Sequence, residues 1–102
     1  MAIIDLDREQ QIELLREADV ARLIEVYIPL AESVASRYAQ GEDIGDIAYR
    51  ALVTVISYSR AHYLARLDSG GRVSYRFDTY LTYYLTESIE RRLHEVIDNE
   101  DC

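Results

Sequence analysis

Five of the ten aromatic side chains in this 102-residue chain, Tyr75, Phe77, Tyr80, Tyr83 and Tyr84, fall within ten consecutive positions. They gather around the start of the stretch FDTYLTYYLTESIERRL, residues 77–93. Leu81, Leu85, Ile89, Leu93 and, just beyond, Val96 recur there at helical spacing, and that stripe is enough to seat a helix on a core. Tyr80, Tyr83, Glu87 and Arg91, separated by three, four and four residues, then define a neighbouring face, with Tyr84 between the two stripes. Exposed tyrosines beside arginine can stack on unpaired nucleobases, each stack being worth roughly 1–3 kcal/mol. A duplex hides those base faces, so the matching target is an opened strand. The same residue types suit a protein interface. A plain core role is the third reading, and the residues alone leave all three open.

No other chemistry competes. His62 and His94 are isolated, and Cys102, the last residue, has no partner for a disulfide or a Cys/His metal set. There is no phosphate loop, nucleophile elbow or metal-ligand helix, so neither an enzyme nor a cofactor is expected. All eleven positive charges are Arg, against nineteen Asp and Glu, for a net charge of −8. That balance disfavours unaided binding to duplex DNA, where neutralising phosphates supplies most of the affinity. The charge is uneven. Residues 70–97 hold Arg72, Arg76, Arg91 and Arg92 against Asp78, Glu87, Glu90 and Glu95 and sum to zero, so the rest of the chain carries the whole −8. No apolar run approaches the ~20 residues needed to span a bilayer, and the N-terminus lacks the pattern of a signal peptide, so a cytoplasmic protein with no membrane partner is expected.

The elements that must position the tyrosines are all helical. Asp7 and Gln10 form a box-like cap for a first short helix running to about Ala18. After Asp19 a second helix carries the stripe Leu23, Tyr27, Leu30, Val34 and Tyr38 and is expected to end near Gly41, bent at Pro29. A third, from Asp43 to about Leu67, is apolar on two sides: Ile44, Ala48, Ala51, Leu52 and Val55 on one, Tyr49, Val53, Ile56, Tyr63 and Leu67 on the other. Such a helix is central in a bundle or offers one face to a partner. LDSGGRVSYR is the loop, turned by Gly70-Gly71, and Asp78 is expected to cap a last helix reaching about Ile97. The fold class predicted is therefore all-α, a single compact bundle of about four helices over residues 1–102. It comprises an N-terminal helix within 1–18, a main body of about 20–97 and a frayed acidic tail, 98–102.

LIEVYIPLAESVASRYAQGEDIGDI followed by RFDTYLTYYLTESIERRL resembles region two of the bacterial sigma-70 family, the helical domain that docks on RNA polymerase and opens the promoter −10 element. The likeness covers about Leu23 to Leu93 and includes the internal Pro29, the Arg37-Tyr38 pair, the Glu42 to Asp46 segment and the Phe77 to Tyr80 helix start. It implies that Asp46 and Ile47 meet the coiled-coil clamp helices of the polymerase largest subunits, with Tyr49, Arg50 and Val53 extending that face. It implies that Tyr75, Phe77, Thr79 and Tyr80 help unstack the promoter and hold flipped bases of the single-stranded non-template strand. Tyr83 and Tyr84 would replace two tryptophans that wedge the upstream edge of the bubble, and Glu87 and Arg91 continue the DNA-facing set.

The chain departs from the family pattern as well. Tyr49, Arg50 and Ala51 stand where Gln-Glu-Gly is usual, and Thr86 and Glu87 where Arg-Gln is usual. A carboxylate in place of the glutamine weakens phosphate binding and changes how a base edge is read. The stretch from Asp46 to Phe77 looks about two helical turns longer than in ordinary members. Nothing like region four follows Leu93, so a sigma-like protein of this kind is expected to act alone or with a second polypeptide supplying −35 recognition. Two further readings stand beside the sigma-like one: a polymerase-clamp inhibitor or adaptor that has lost the DNA work, and a self-associating domain, a homo-oligomer that buries its tyrosine face in a second copy.

Overall fold

A computed structural model describes residues 3–39, 41, 43–70, 73 and 75–100, with residues 94–100 described by their backbone alone. Glu42, Gly71, Arg72 and Cys102, and the side chains of His94, Glu95, Val96 and Ile97, lie outside the described residues. The described residues form an all-α bundle of four helices: α1 (Arg8–Glu17), α2 (Val20–Ala35), α3 (Asp43–Asp68) and α4 (Phe77–Glu100). Helices α3 and α4 each touch all the other helices, and α3 packs most extensively, against α2 and α4.

Local rules set the first two helix starts. The Asp7 carboxylate accepts from the Gln10 N–H at 2.8 Å and the Gln10 side chain accepts from the Asp7 N–H at 3.0 Å, a reciprocal cap that satisfies two otherwise orphan donors. Ala18 closes α1, and its carbonyl accepts from Arg60 of α3 at 2.8 Å. Asp19 then starts α2 by accepting from the Arg22 N–H at 2.9 Å. Helix α2 runs unbroken through Pro29. Pro29 and Glu25 are both exposed, so the Glu25 carbonyl that loses its donor lies on the water side.

Helix α2 ends six residues short of Gly41, and this corrects the expected stripe. Arg37 and Tyr38 donate to the carbonyls of Val34 and Ala35 at 3.1 and 3.0 Å, a tightened i→i+3 turn. The turn rotates Tyr38 off the core side. Its ring is 39% exposed, and its hydroxyl donates to Glu90 on α4 at 2.9 Å. Gly41 takes the left-handed conformation, φ 73°, that reverses the chain into α3.

On α3 the first apolar stripe is buried apart from the half-buried Ile44. The second splits: Ile56 and Tyr63 are fully buried, whereas Tyr49 and Val53 face solvent. The turn after α3 uses Gly70 at φ 82°, while Leu67 and Asp68 remain helical. Asp68 ties α3 to α1 by accepting from Arg16 at 2.7 Å, which holds its carboxyl below the usual carboxylate range.

Asp78 does not cap α4, contrary to expectation. The helix begins at Phe77, the Tyr80 N–H donates to the Arg76 carbonyl at 3.2 Å, and Asp78 sits inside the first turn. The acceptor for the Asp78 N–H comes instead from α1, the Gln11 Oε1 at 3.0 Å. Gln11 is fully buried. Its Oε1 also accepts from the Tyr27 hydroxyl at 3.0 Å, and its Nε2 donates to the Leu6 carbonyl at 3.1 Å. A backbone N–H can only donate and a carbonyl only accept, so these partners fix the amide orientation and make Tyr27 the donor. Arg76 completes the junction, with Nη2 donating to the carbonyls of Ile4 and Leu6 and to Asp78, while Arg8 donates to the Val73 carbonyl at 2.6 Å.

Around this junction pack Tyr27, Phe77 and Tyr63, the largest fully buried side chains, with ring centroids of both tyrosines 5.3 Å from that of Phe77. The edge-on arrangement is the favoured one for aromatic pairs. Among the described residues, the Ser59 hydroxyl is the buried side-chain polar atom with no partner.

Gln11→Ala strands the Asp78 N–H and the Leu6 carbonyl and removes the acceptor of Tyr27. At about 1–3 kcal/mol per stranded buried group it should cost about 3 kcal/mol or more, lowering the thermal midpoint by more than about 10 °C. Ser59→Ala deletes a group that gains nothing from burial, so urea unfolding should show an unchanged or higher stability, by up to about 1 kcal/mol.

Candidate functional site

Helix α4 presents its tyrosines as the outer end of an aromatic series that begins in the core. From Tyr27, Phe77 and Tyr63 the contacts continue to Tyr75 and Tyr80, at 6.1 and 5.7 Å from Tyr63, and from Tyr80 to Tyr84 at 5.0 Å. Tyr84 meets Tyr83 and Tyr58, each at 5.4 Å, and Tyr58 lies 4.1 Å from His62. The Tyr63 hydroxyl donates to the Tyr75 carbonyl at 2.7 Å, which fixes the segment entering α4. Arg66 donates to the Tyr75 hydroxyl at 3.1 Å and places one cation at this edge.

The expected DNA-facing residues do not form one face. Phe77 is fully buried and belongs to the core: its position at the start of α4 turns it between Tyr27 and Tyr63, away from any ligand. Thr79 is exposed, but it shares a shallow recess with Ile3, Leu30 and Thr82 on the α2 side of the helix. Tyr75, Tyr80 and Tyr84 are half-buried on the α3 side, with the Tyr80 and Tyr84 hydroxyls 3.2 Å apart. Tyr83 is the most open, at 67%, and Glu87 and Arg91 continue its exposed line. Arg91 donates to Glu87 at 3.1 Å, so the arginine's charge is partly answered before any phosphate arrives.

Between α3 and α4 a groove of about 320 Å³ is lined by Tyr58, Tyr84, Thr54, Glu87, Ser88 and Arg91. Tyr58 was not among the residues singled out from sequence, and His62 was read there as isolated. They are an i, i+4 pair on α3 and half or more of Tyr58 is open, but they lie off both apolar stripes read along that helix. Their spacing relative to one another was the available signal; their meeting with Tyr84 was not, because it depends on how α4 packs on α3.

The second expected set lies on the first half of α3. Asp46 and Arg50 are exposed and paired at 3.1 Å, Tyr49 and Val53 are 54% and 45% exposed, and Ile47 is half-buried against the core, about 160° around the helix from Tyr49 and so apart from that face. At about 100° per residue, Tyr49 and Tyr58 are about 180° apart around the helix axis. Tyr49 and Val53 therefore lie on the side of α3 away from Tyr58, with the Asp46–Arg50 pair between them, and the expected polymerase-facing residues do not all share one side.

Burial and hydrogen bonding raise several phenols. Tyr27 and Tyr63 are pushed up chiefly by burial, Tyr84 chiefly by its bond to Tyr80, and Tyr58 chiefly by the neighbouring Tyr84 phenol. Among the described residues no group of three or more His, Cys, Asp or Glu is placed to hold a metal ion, and no helix is long and apolar enough to cross a membrane.

A folded-state phenol pKa above the unfolded value of about 10 means that the unfolded chain releases its proton first as pH rises. Stability from these groups is intact below pH ~10 and is lost above it. The urea midpoint should therefore fall between pH 8 and pH 10.5, and Tyr27→Phe should flatten that fall; an equal midpoint at both values would contradict the assignment of Tyr27 and Tyr63 as shielded phenols.

Compared with protein-family models, with curated proteins and with solved structures, the chain matches none, so its two surfaces are interpreted from their own geometry and from the sequence resemblance.

Proposed function

We propose that the chain is a sigma-like transcription initiation module. In this reading it docks on the clamp helices of RNA polymerase core through the exposed side of α3 and holds unpaired promoter −10 bases against its tyrosines. The observation that carries the reading is the placement of Tyr49 and Val53 on one side of α3 and of Tyr58, Tyr83 and Tyr84 on the other. One rigid helix can then meet a protein partner and a strand of single-stranded DNA together. The chemistry is base capture: extruding a base costs a few kcal/mol, which aromatic stacking offsets. The polymerase supplies the affinity that a net charge of −8 withholds. A module of this kind works in the cytoplasm.

A second reading is favoured by two specific features. Glu87 holds Arg91, and Phe77 is sealed in the core, so the DNA side has one free cation fewer and one ring fewer than the resemblance implies. A sigma-like adaptor or inhibitor that occupies the clamp without touching DNA accounts for both.

Retention of polymerase core from cell extract tests the docking face. Wild type should retain it, and Tyr49→Asp with Val53→Asp should not, while keeping its helical circular dichroism because both residues are exposed. Binding to a −10 single strand then separates the readings: Tyr58→Ala with Tyr83→Ala should weaken it by about tenfold or more on the sigma-like reading, at roughly 1–3 kcal/mol per stack. Retention of polymerase with no measurable strand binding would leave the adaptor reading. Failure to retain polymerase would overturn both, and a dimeric elution mass would point to self-association.

A further inference from the structure

A concavity lies away from both surfaces, where residues 3–6 cross α1 and α2. It has a volume of about 450 Å³, within the range of about 300–1,000 Å³ typical of ligand pockets. Its apolar lining comes from Ile3, 50% exposed, and from the half-buried Leu6, Leu14 and Val26, with Ile4 beneath. The wall formed by residues 4–6 is held in place before any partner arrives, because the Ile4 and Leu6 carbonyls accept from Arg76 and Leu6 also accepts from Gln11.

The rim is acidic. Asp5, Glu13 and Glu17 line the groove and make no ion pair with another described residue. Arg22, the cation at this rim, is engaged by Glu25 at 3.2 Å, and Arg16 of α1 is turned to Asp68. An apolar floor between uncompensated carboxylates is complementary to an amphipathic helix that carries Lys or Arg on either side of an aliphatic stripe.

We propose that this groove is a docking site for a basic amphipathic segment of a partner protein, independent of the polymerase- and base-binding readings. The aliphatic side chains of that segment occupy the floor, and its cations meet Asp5, Glu13 and Glu17. The attraction is between exposed charges, so it weakens as salt rises.

The test uses the full chain and a synthetic amphipathic helix of leucine and lysine, with a second peptide of identical leucine pattern bearing glutamate in place of lysine. Affinity is read by fluorescence anisotropy and location by amide chemical-shift changes. Because the whole protein is acidic, two charge-matched variants are compared: Glu13→Arg with Glu17→Arg at the rim, and Glu32→Arg with Glu90→Arg, exposed and outside the groove.

The expected result is shift changes centred on Leu6, Leu14 and Val26, with about tenfold weaker binding for the rim variant, the loss expected from two exposed ion pairs. The distant variant should change little. Equal weakening of both variants, equal binding of the glutamate peptide, shift changes elsewhere, or no binding of the lysine peptide would each overturn the proposal. So would a dimer that the peptide dissociates, since the groove's occupant would then be a second copy.

Discussion

One buried carboxamide ties three parts of this fold together. Gln11, with no exposed surface, offers Oε1 to the first turn of α4 and to Tyr27 of α2, and Nε2 to the backbone preceding α1. A buried amide left unpaired costs more than its hydrogen bonds return. The cheapest arrangement is therefore the one in which all three partners are in place at once. That requirement sets where α4 starts, and with it the placement of Phe77 between Tyr27 and Tyr63 and the outward march of Tyr80, Tyr83 and Tyr84. Arg76 reinforces the same junction by holding the carbonyls of Ile4 and Leu6 beside Asp78.

Where a rule acts within a few residues, the sequence was legible. Asp7 with Gln10 caps α1 as their types and spacing suggest, α2 starts after Asp19, and the Leu81, Leu85, Ile89 stripe seats α4. Asp78 was misleading because the acceptor for the start of α4 comes from a residue 67 positions away, a partner that no local pattern announces. Tyr38 continues the period of α2 on paper, yet the tight turn at its end carries the ring to solvent and to Glu90.

The surfaces were legible in composition and less so in detail. Five clustered aromatic residues pointed to a special face, but periodicity alone could not divide Phe77, which the core takes, from Tyr83, which it leaves out. Nor could it bring in Tyr58 and His62, since their contact with Tyr84 exists only once α3 and α4 are packed. The result is a helix, α3, whose opposite sides present different chemistry: Tyr49 and Val53 on one and a wall of phenols on the other, with the paired Asp46 and Arg50 between them. The proposed division of labour between a protein partner and unpaired bases rests on that separation.

The account depends most on the Asp78 N–H being capped from α1, and amide hydrogen exchange at Asp78 measures this directly. The second residue of an ordinary exposed helix has no intrahelical acceptor and exchanges readily. Capping by a buried Gln11 predicts protection approaching that of the core amides of Leu85 and Ile89. Exchange of Asp78 at the rate of a frayed helix end would contradict the account, and with it the explanation of why the tyrosines of α4 stand where they do.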